Sequence, residues 1–281
     1  MTEEDKTVLV VEDDAVAGWL VSCALESAGI KTVSVADGIE ALTLIRQRPF
    51  SLVLLDLELP GMHGLDILER INREAIFLKV IVMTGDDTPE TVLGAITRQA
   101  YRYILKPFSM MTLVELVQNA LSTPLPSVPI EVISARPEWV ELLVPCDLDS
   151  AERIRSFLAS LEANLPEKVR ESISQAFREL LLNAIEWGGK FDPNHKVRIS
   201  CLRARRMVLY RIADPGSGFQ MENLEHTALG NPEGDPLHHM QVREGLKMRP
   251  GGYGILLVKS IVDELLFNEA RNEVVFIKYL D

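Results

Sequence analysis

Residues 51–64 read SLVLLDLELPGMHG, and this stretch decides the fold of the first half of the chain. The run Leu52–Leu55 is short and apolar, ends at Asp56, and breaks at Pro60-Gly61 before a helical pattern begins near residue 64. That is how a buried parallel strand feeding a helix reads. The same alternation extends on both sides. Apolar runs TVLVV (7–11), TVSV (32–35), KVIVM (79–83) and YRYIL (101–105) are separated by helical patterns near 15–28, 38–47, 64–74, 89–97 and 109–121. Five strands alternating with five helices predict a doubly wound, five-stranded parallel α/β domain over residues 1–122. Ligands of such sheets sit outside the carboxyl ends of the strands.

Those ends carry unusual residues. The first strand runs into Glu12-Asp13-Asp14, the third ends at Asp56, and the fourth and fifth are followed by Thr84 and Lys106. Clustered carboxylates repel one another, and a hard divalent cation such as Mg²⁺ relieves them. An Asp beside such a cation can attack a phosphoryl group, because the metal offsets charge on both partners. One acidic triplet alone would read as a solvated surface, and a lone Asp at a strand end as a turn residue.

The segments VLVVEDD (8–14), LLDLELPGMHG (54–64), MTG (83–85) and YILKP (103–107) together resemble the receiver domain of two-component response regulators, in order and spacing, over about 120 residues. The resemblance implies that Asp56 is the phospho-acceptor. It implies Mg²⁺ held by Asp13 and Asp56, by the Glu58 carbonyl, and through water by Glu12. Thr84 and Lys106 would sense the phosphoryl group, and Tyr103 matches the aromatic that swings inward when Thr84 moves. Leu59 stands where Met is commoner in the family. An upstream sensor histidine kinase is the implied phosphodonor.

Residues 123–137 contain Pro124, Pro126, Pro129 and Pro137 and read as a fairly stiff linker, since proline fixes φ and forbids regular pairing. The remainder, 138–281, opens with an apparent strand WVELLVP (139–145) and helical stretches near 149–163 and 166–187. Strands at 196–202 and 207–213 follow, then a polar stretch 219–250 without clear periodicity, a helix at about 254–266 and a last strand 273–280. In SQAFRELLLNAIEW (174–187), Phe177, Leu180, Leu181, Ala184 and Ile185 recur at helical spacing and face a core. Glu179 and Asn183, one turn apart, share an edge of that face, where they could hold a metal and polarise a hydroxyl or water. Spacing alone leaves them as two solvated polar residues.

Two glycine-rich segments change that balance. Asp214-Pro215-Gly216-Ser217-Gly218 follows the strand MVLYRIA, and a buried Asp there can accept a hydrogen bond from an amino group such as adenine's. Gly251-Gly252-Tyr253-Gly254 leads into an apolar helix, a pattern whose backbone amides suit phosphates. With the Glu179/Asn183 helix these segments resemble the N, G1 and G2 boxes of the GHKL (Bergerat-fold) ATPases, an α/β two-layer sandwich. The stretch from about 139 to 281 is similar to the anti-sigma-factor serine kinases. That likeness implies Mg²⁺ on Asn183, Glu179 as general base, adenine on Asp214, ATP among Gly216, Gly218, Gly251, Gly252 and Gly254, and an ATP lid over 226–250 that includes Gly230, His238 and His239. It departs from the family at Trp187, where a His or Lys is common, and in the length of the lid. His238-His239 reads as a surface loop rather than a metal site. The other histidines are His63, His195 and His226, and none occupies a phospho-accepting helix between the domains.

The expected activity is therefore receiver-controlled partner switching, with a sigma factor or an anti-sigma-factor antagonist protein as partner and an ATP-dependent serine/threonine kinase as output. A non-catalytic ATP-dependent binding module and a modulator of sensor kinases are the alternatives. Both families often pair, so a homodimer is among the implied assemblies. Bulk properties fit this reading. Hydrophobic residues make up 47% and charged residues 25% of 281 residues, a globular profile. Residues 1–122 hold 10 Lys and Arg against 18 Asp and Glu, and the rest 19 against 23, so neither half has the basic excess of a nucleic-acid binder. Cys23, Cys146 and Cys201 are odd in number and far apart, which argues against disulfides or zinc. With no apolar run near ~20 residues and an acidic MTEEDK start, the expectation is a cytoplasmic protein with no membrane contact.

Overall fold

A computed structural model of the protein describes residues 6–74, 78–218, 235, 238–245 and 253–280. The chain divides into two units, 1–127 with 156–161 and 128–155 with 162–281.

The first unit is built on β1 (Thr7–Val11), β2 (Lys31–Val35), β3 (Leu52–Asp56), β4 (Lys79–Thr84) and β5 (Arg102–Leu105). They form one parallel sheet in the order β2-β1-β3-β4-β5. Every residue of β3 and β4 is buried, as expected of strands covered on both faces. Helices α1 (Ala15–Ser27), α2 (Gly38–Gln47), α3 (Gly64–Arg73), α4 (Pro89–Thr97) and α5 (Met110–Ser122) alternate with the strands. Side chains fix where several helices start. Asp14 accepts from the Val16 and Ala17 amides, Asp37 from Ile39 and Glu40, and Ser109 from Thr112. Because β1 pairs with β2 on one side and β3 on the other, the strand order reverses between β1 and β3, and a crevice opens at their carboxyl ends.

The second unit is antiparallel. Strands β6 (Glu131–Arg136), β7 (Trp139–Pro145), β8 (Lys196–Arg203), β9 (Met207–Ala213), β10 (Glu264–Phe267) and β11 (Glu273–Tyr279) form a sheet in the order β10-β11-β9-β8-β7-β6. β9 alternates strictly, with Val208, Tyr210 and Ile212 buried. Against that face packs α7 (Glu167–Asn183), which buries Ile173, Ala176, Phe177, Leu180 and Leu181. Tyr210 stacks on Phe276 at 5.1 Å and meets Phe177 at 5.2 Å between ring centres, giving the layer an aromatic centre. α6 (Leu148–Leu161), α8 (His238–Gly245) and α9 (Gly254–Ile261) complete the α-helices of the described residues.

Three boundaries differ from expectation. The stretch 123–137 is not wholly a linker: Glu131–Arg136 pairs with β7. Its six residues contain no proline, and Pro129 and Pro137 flank an edge strand, where a missing amide costs least. The helix expected over 254–266 stops at Ile261, because Glu264–Phe267 pairs with Val274–Ile277 as β10. The surface loop expected at His238 begins helix α8 instead. No helix among the described residues is long and apolar enough to cross a membrane.

Candidate functional site

The crevice between β1 and β3 brings Glu12, Asp13 and Asp56 together, with carboxylate oxygens within 4.8 Å of one another. Glu12 is 4% and Asp56 3% exposed, while Asp13 faces solvent. Lys106, just past β5, reaches in: its Nζ donates to Asp56 Oδ2 at 2.6 Å and Glu12 Oε2 at 2.7 Å. Burial pushes the Glu12 carboxyl up, against the pull of its bond to Lys106, and the nearby Asp56 pushes it further. Burial pulls the Lys106 ammonium down, but its bonds to Asp56 and Glu12 outweigh that and leave it raised. Glu58 is exposed, and its amide donates to Asp56 Oδ1 at 3.1 Å, fixing the carboxylate from behind. Three carboxylates of which one is open to solvent suit a hard, partly hydrated cation such as Mg²⁺. Asp14 is not part of this set, being turned to the α1 amides.

Thr84 and Tyr103 meet at a residue that the sequence patterns did not single out. The Asp86 amide donates to Thr84 Oγ1 at 3.1 Å, and the Tyr103 hydroxyl donates to the Asp86 carbonyl at 2.6 Å. Asp86 is itself held by Thr91 and Thr88, with the Thr91 hydrogen bond holding its carboxyl below the usual range. The signal that could have found it is the segment DDTPE, where an acid precedes a proline-started helix. Tyr103 is buried, which raises its hydroxyl well above its ordinary value.

In the second unit, Glu179 and Asn183 lie one turn apart on α7, next to the start of α9. A Cβ on Gly254 would come within 2.9 Å of Glu179 Oε2 and 3.8 Å of Asn183 Nδ2, which places the start of α9 directly against both side chains. After Asn183 the helix changes to a π turn, Ala184–Gly188, a feature frequent at functional sites. Asp214 follows β9. Burial raises its carboxyl, against the hydrogen bond it accepts from the Gly216 amide at 2.8 Å. Asn272 closes the turn, donating to the Gly216 carbonyl at 3.0 Å, and Gly218 takes φ +82, a glycine conformation. Trp187 is 48% exposed. Gly230, Gly251 and Gly252 lie outside the described residues, as does most of 226–250.

Both units match known families. Residues 8–118 match the response regulator receiver domain family, and residues 144–278 the histidine kinase-like ATPase domain family. The DNA-binding response regulator MtrA of Mycolicibacterium paratuberculosis is 32% identical over 202 residues, covering 70% of this chain and 88% of that protein. The chain belongs to the response regulators. This response regulator is also 33% identical to the DNA-binding transcriptional regulator NtrC of Escherichia coli K12 over 115 residues, 41% of this chain and 24% of NtrC. The receiver domain of the Francisella response regulator 1452 aligns with 42% of this chain and 97% of its own, at 27% identity and TM-score 0.40.

The charge balance of the receiver pocket can be tested without a phosphodonor. Lys106→Met should destabilise the receiver domain by about 2 kcal/mol in metal-free buffer, since it strips a buried carboxylate pair of its cation. Millimolar Mg²⁺ should return part of that loss. Denaturant unfolding with and without Mg²⁺ reads both effects, and an unchanged midpoint in metal-free buffer would count against the pairing.

Proposed function

We propose that Asp56 phosphorylation in this response regulator controls an ATP-binding output of the anti-sigma-factor serine kinase type, acting by partner switching. Two observations in one chain combine to carry the reading: a buried Asp56 held by Lys106 in an acidic crevice, and Glu179 with Asn183 set against the Gly254 start of α9.

In the receiver domain, an Asp56 oxygen attacks the phosphorus of the donor while the donor's bond to phosphorus breaks and its electrons leave with the donor group. Asp13, Asp56 and the Glu58 carbonyl, with Glu12 through water, would hold a Mg²⁺ ion, which when bound would supply positive charge to offset the carboxylate and phosphoryl oxygens. Lys106 then exchanges a carboxylate oxygen for a phosphoryl oxygen, and Thr84 turns its hydroxyl toward the same group. That movement draws on the Asp86 backbone, to which Tyr103 is bonded. In the ATPase domain, Asp214 would accept from the adenine amino group and Asn183 would hold the nucleotide's Mg²⁺, while Glu179 would take the proton of a Ser or Thr hydroxyl attacking the γ-phosphorus as ADP leaves. The donor upstream is a sensor histidine kinase, and the partner downstream is a sigma factor or a small antagonist protein. The relative MtrA is a DNA-binding response regulator, whereas the output proposed for this chain is not DNA contact. The second half matches an ATPase family and has no basic excess.

Trp187, standing where related ATPases often carry His or Lys, favours a second reading in which ATP only shapes a binding surface. Glu179→Gln separates the two. As a kinase, the variant should bind Mg·ATP normally yet phosphorylate its partner ~10²–10⁴-fold more slowly, the usual cost of losing a general base. Undiminished regulation by this variant would move the assignment to a binding module. The partner itself would come from affinity capture with Mg·ATP, with and without beryllofluoride. Recovery of a sigma factor or antagonist that changes with beryllofluoride supports partner switching. Recovery of sensor kinases alone would replace it with kinase modulation.

A further inference from the structure

The Gly188-Gly189 pair ends the π turn after Asn183 in a way that neither helix stop nor turn chemistry requires. Neither residue has positive φ, the glycines in that region being Gly29, Gly61 and Gly218 among the described residues. Alanine is also the better helix former by about 1 kcal/mol. What excludes a side chain is space. A Cβ on Gly188 would overlap Cβ, Cγ and Oδ1 of Asp214, and one on Gly189 would overlap Cys146 Cβ and Sγ. Gly188 also backs the turn that follows, since a Cβ on Gly216 would come within 2.9 Å of the Gly188 Cα and 2.9 Å of Asp214 Oδ1. The Asp214 carboxylate therefore rests on the bare Gly188 backbone and is tied from above by the Gly216 amide. The π turn inserts one residue relative to the α-helical repeat, which re-phases the chain between Asn183 and Gly188. The two neighbours differ in what they meet. Cys146 is buried, burial lifting its thiol to about 11 with the Asp214 charge adding to that, so Gly189 lies on the core side. Gly188 faces the acid.

The geometry points to Gly188 as a positioning residue for Asp214, one that sets the selectivity of the pocket for a 6-aminopurine nucleotide. The inference rests on the nucleotide reading of the ATPase domain. A carboxylate aimed at an exocyclic amino group rewards that amino group only when it is held in place. A methyl group at 188 must push the carboxylate aside or open the turn, and the amino group then loses its acceptor. Contacts to the ribose and phosphates, which come from other residues, need not change. Selectivity should fall further than affinity for the common part of the ligand.

The test compares Mg·ATP with the Mg complex of purine riboside triphosphate, which lacks the amino group, by calorimetry on the full chain. Wild type should favour ATP by about tenfold or more, the scale of one buried hydrogen bond to a charged group. Gly188→Ala should bring the two affinities to within about threefold of each other. In an Asp214→Gly background the same alanine should change nothing more, since residues acting through one another are non-additive. If Gly188→Ala does not fold, the double variant G188A/D214G, which removes the carboxylate that the methyl meets, should restore the wild-type melting temperature. A Gly188→Ala protein that keeps the wild-type ratio, or loses affinity for both nucleotides equally, overturns the inference alone. So does a double variant that stays unfolded. A wild-type chain that binds neither nucleotide overturns the nucleotide reading, and the inference falls with it.

Discussion

Asp56→Asn should take up no phosphoryl group from a small donor such as acetyl phosphate, its rate falling on the order of 10⁴-fold or more, the scale on which deleting a covalent nucleophile acts. The substitution is nearly isosteric. Its amide oxygen can still accept from Lys106 Nζ or the Glu58 amide, which now meet Asp56 Oδ2 and Oδ1. The site should therefore survive while its nucleophile is gone. Asp13→Asn is the companion. Asp13 is exposed, and the Lys106 ammonium bonds to the other two carboxylates of the cluster. Its loss should therefore weaken the response to Mg²⁺ and leave the acceptor in place. Intact-mass spectrometry after incubation with acetyl phosphate reads both variants. A D56N protein that still gains a phosphoryl mass would place the acceptor elsewhere, Asp13 and Glu12 being the first alternatives.

The second large effect is on stability. Glu162→Gln should strengthen the second unit above pH 7 by about 3 kcal/mol, roughly 5–10 °C in melting temperature for a unit of this size. Glu162 is 5% exposed and accepts a hydrogen bond from the hydroxyl of Tyr210, which lies fully inside the aromatic centre of the sheet. Burial pushes its carboxyl up to about 7, against the bond from Tyr210 and the charges of Arg203 and Arg170. The folded protein thus binds a proton that the unfolded chain, at the ordinary value of 4.5, gives up more readily. Stability from this group is complete below about pH 4.5, drains away as pH rises, and is gone above about pH 7. Glutamine cannot ionise and can still accept from Tyr210, so the variant should lose this slope. The difference from wild type should be small at pH 5 and full at pH 8. Hydrogen exchange of the β9 amides across that range follows the second unit by itself. Parallel wild-type and variant profiles would show that Glu162 is not the titrating group.

Much of the first site was legible in the sequence, because it is carried by residues at the ends of apolar runs. Once VLVV, LVLL, KVIVM and YRYIL are parallel strands, their carboxyl ends must share one edge, so Glu12, Asp13, Asp56, Thr84 and Lys106 converge with no further information. Periodicity likewise placed Glu179 and Asn183 on one edge of α7, since residues one helical turn apart are neighbours in any helix. Other features depend on partners distant in sequence. Glu131–Arg136 became β6 and Glu264–Phe267 became β10 because β7 and β11 lay open to pair with them, and local preference for linker or helix gave way. Asp86 gained its place between Thr84 and Tyr103 only once the β4 and β5 ends stood side by side. Glu162 and Tyr210 are 48 residues apart, and no spacing rule joins them. Gly188 is the sharpest case. In sequence it only follows a helical stretch, whereas in the fold it is the floor under Asp214, since only the packing of the π turn after α7 against the end of β9 decides that a single methyl group has nowhere to go.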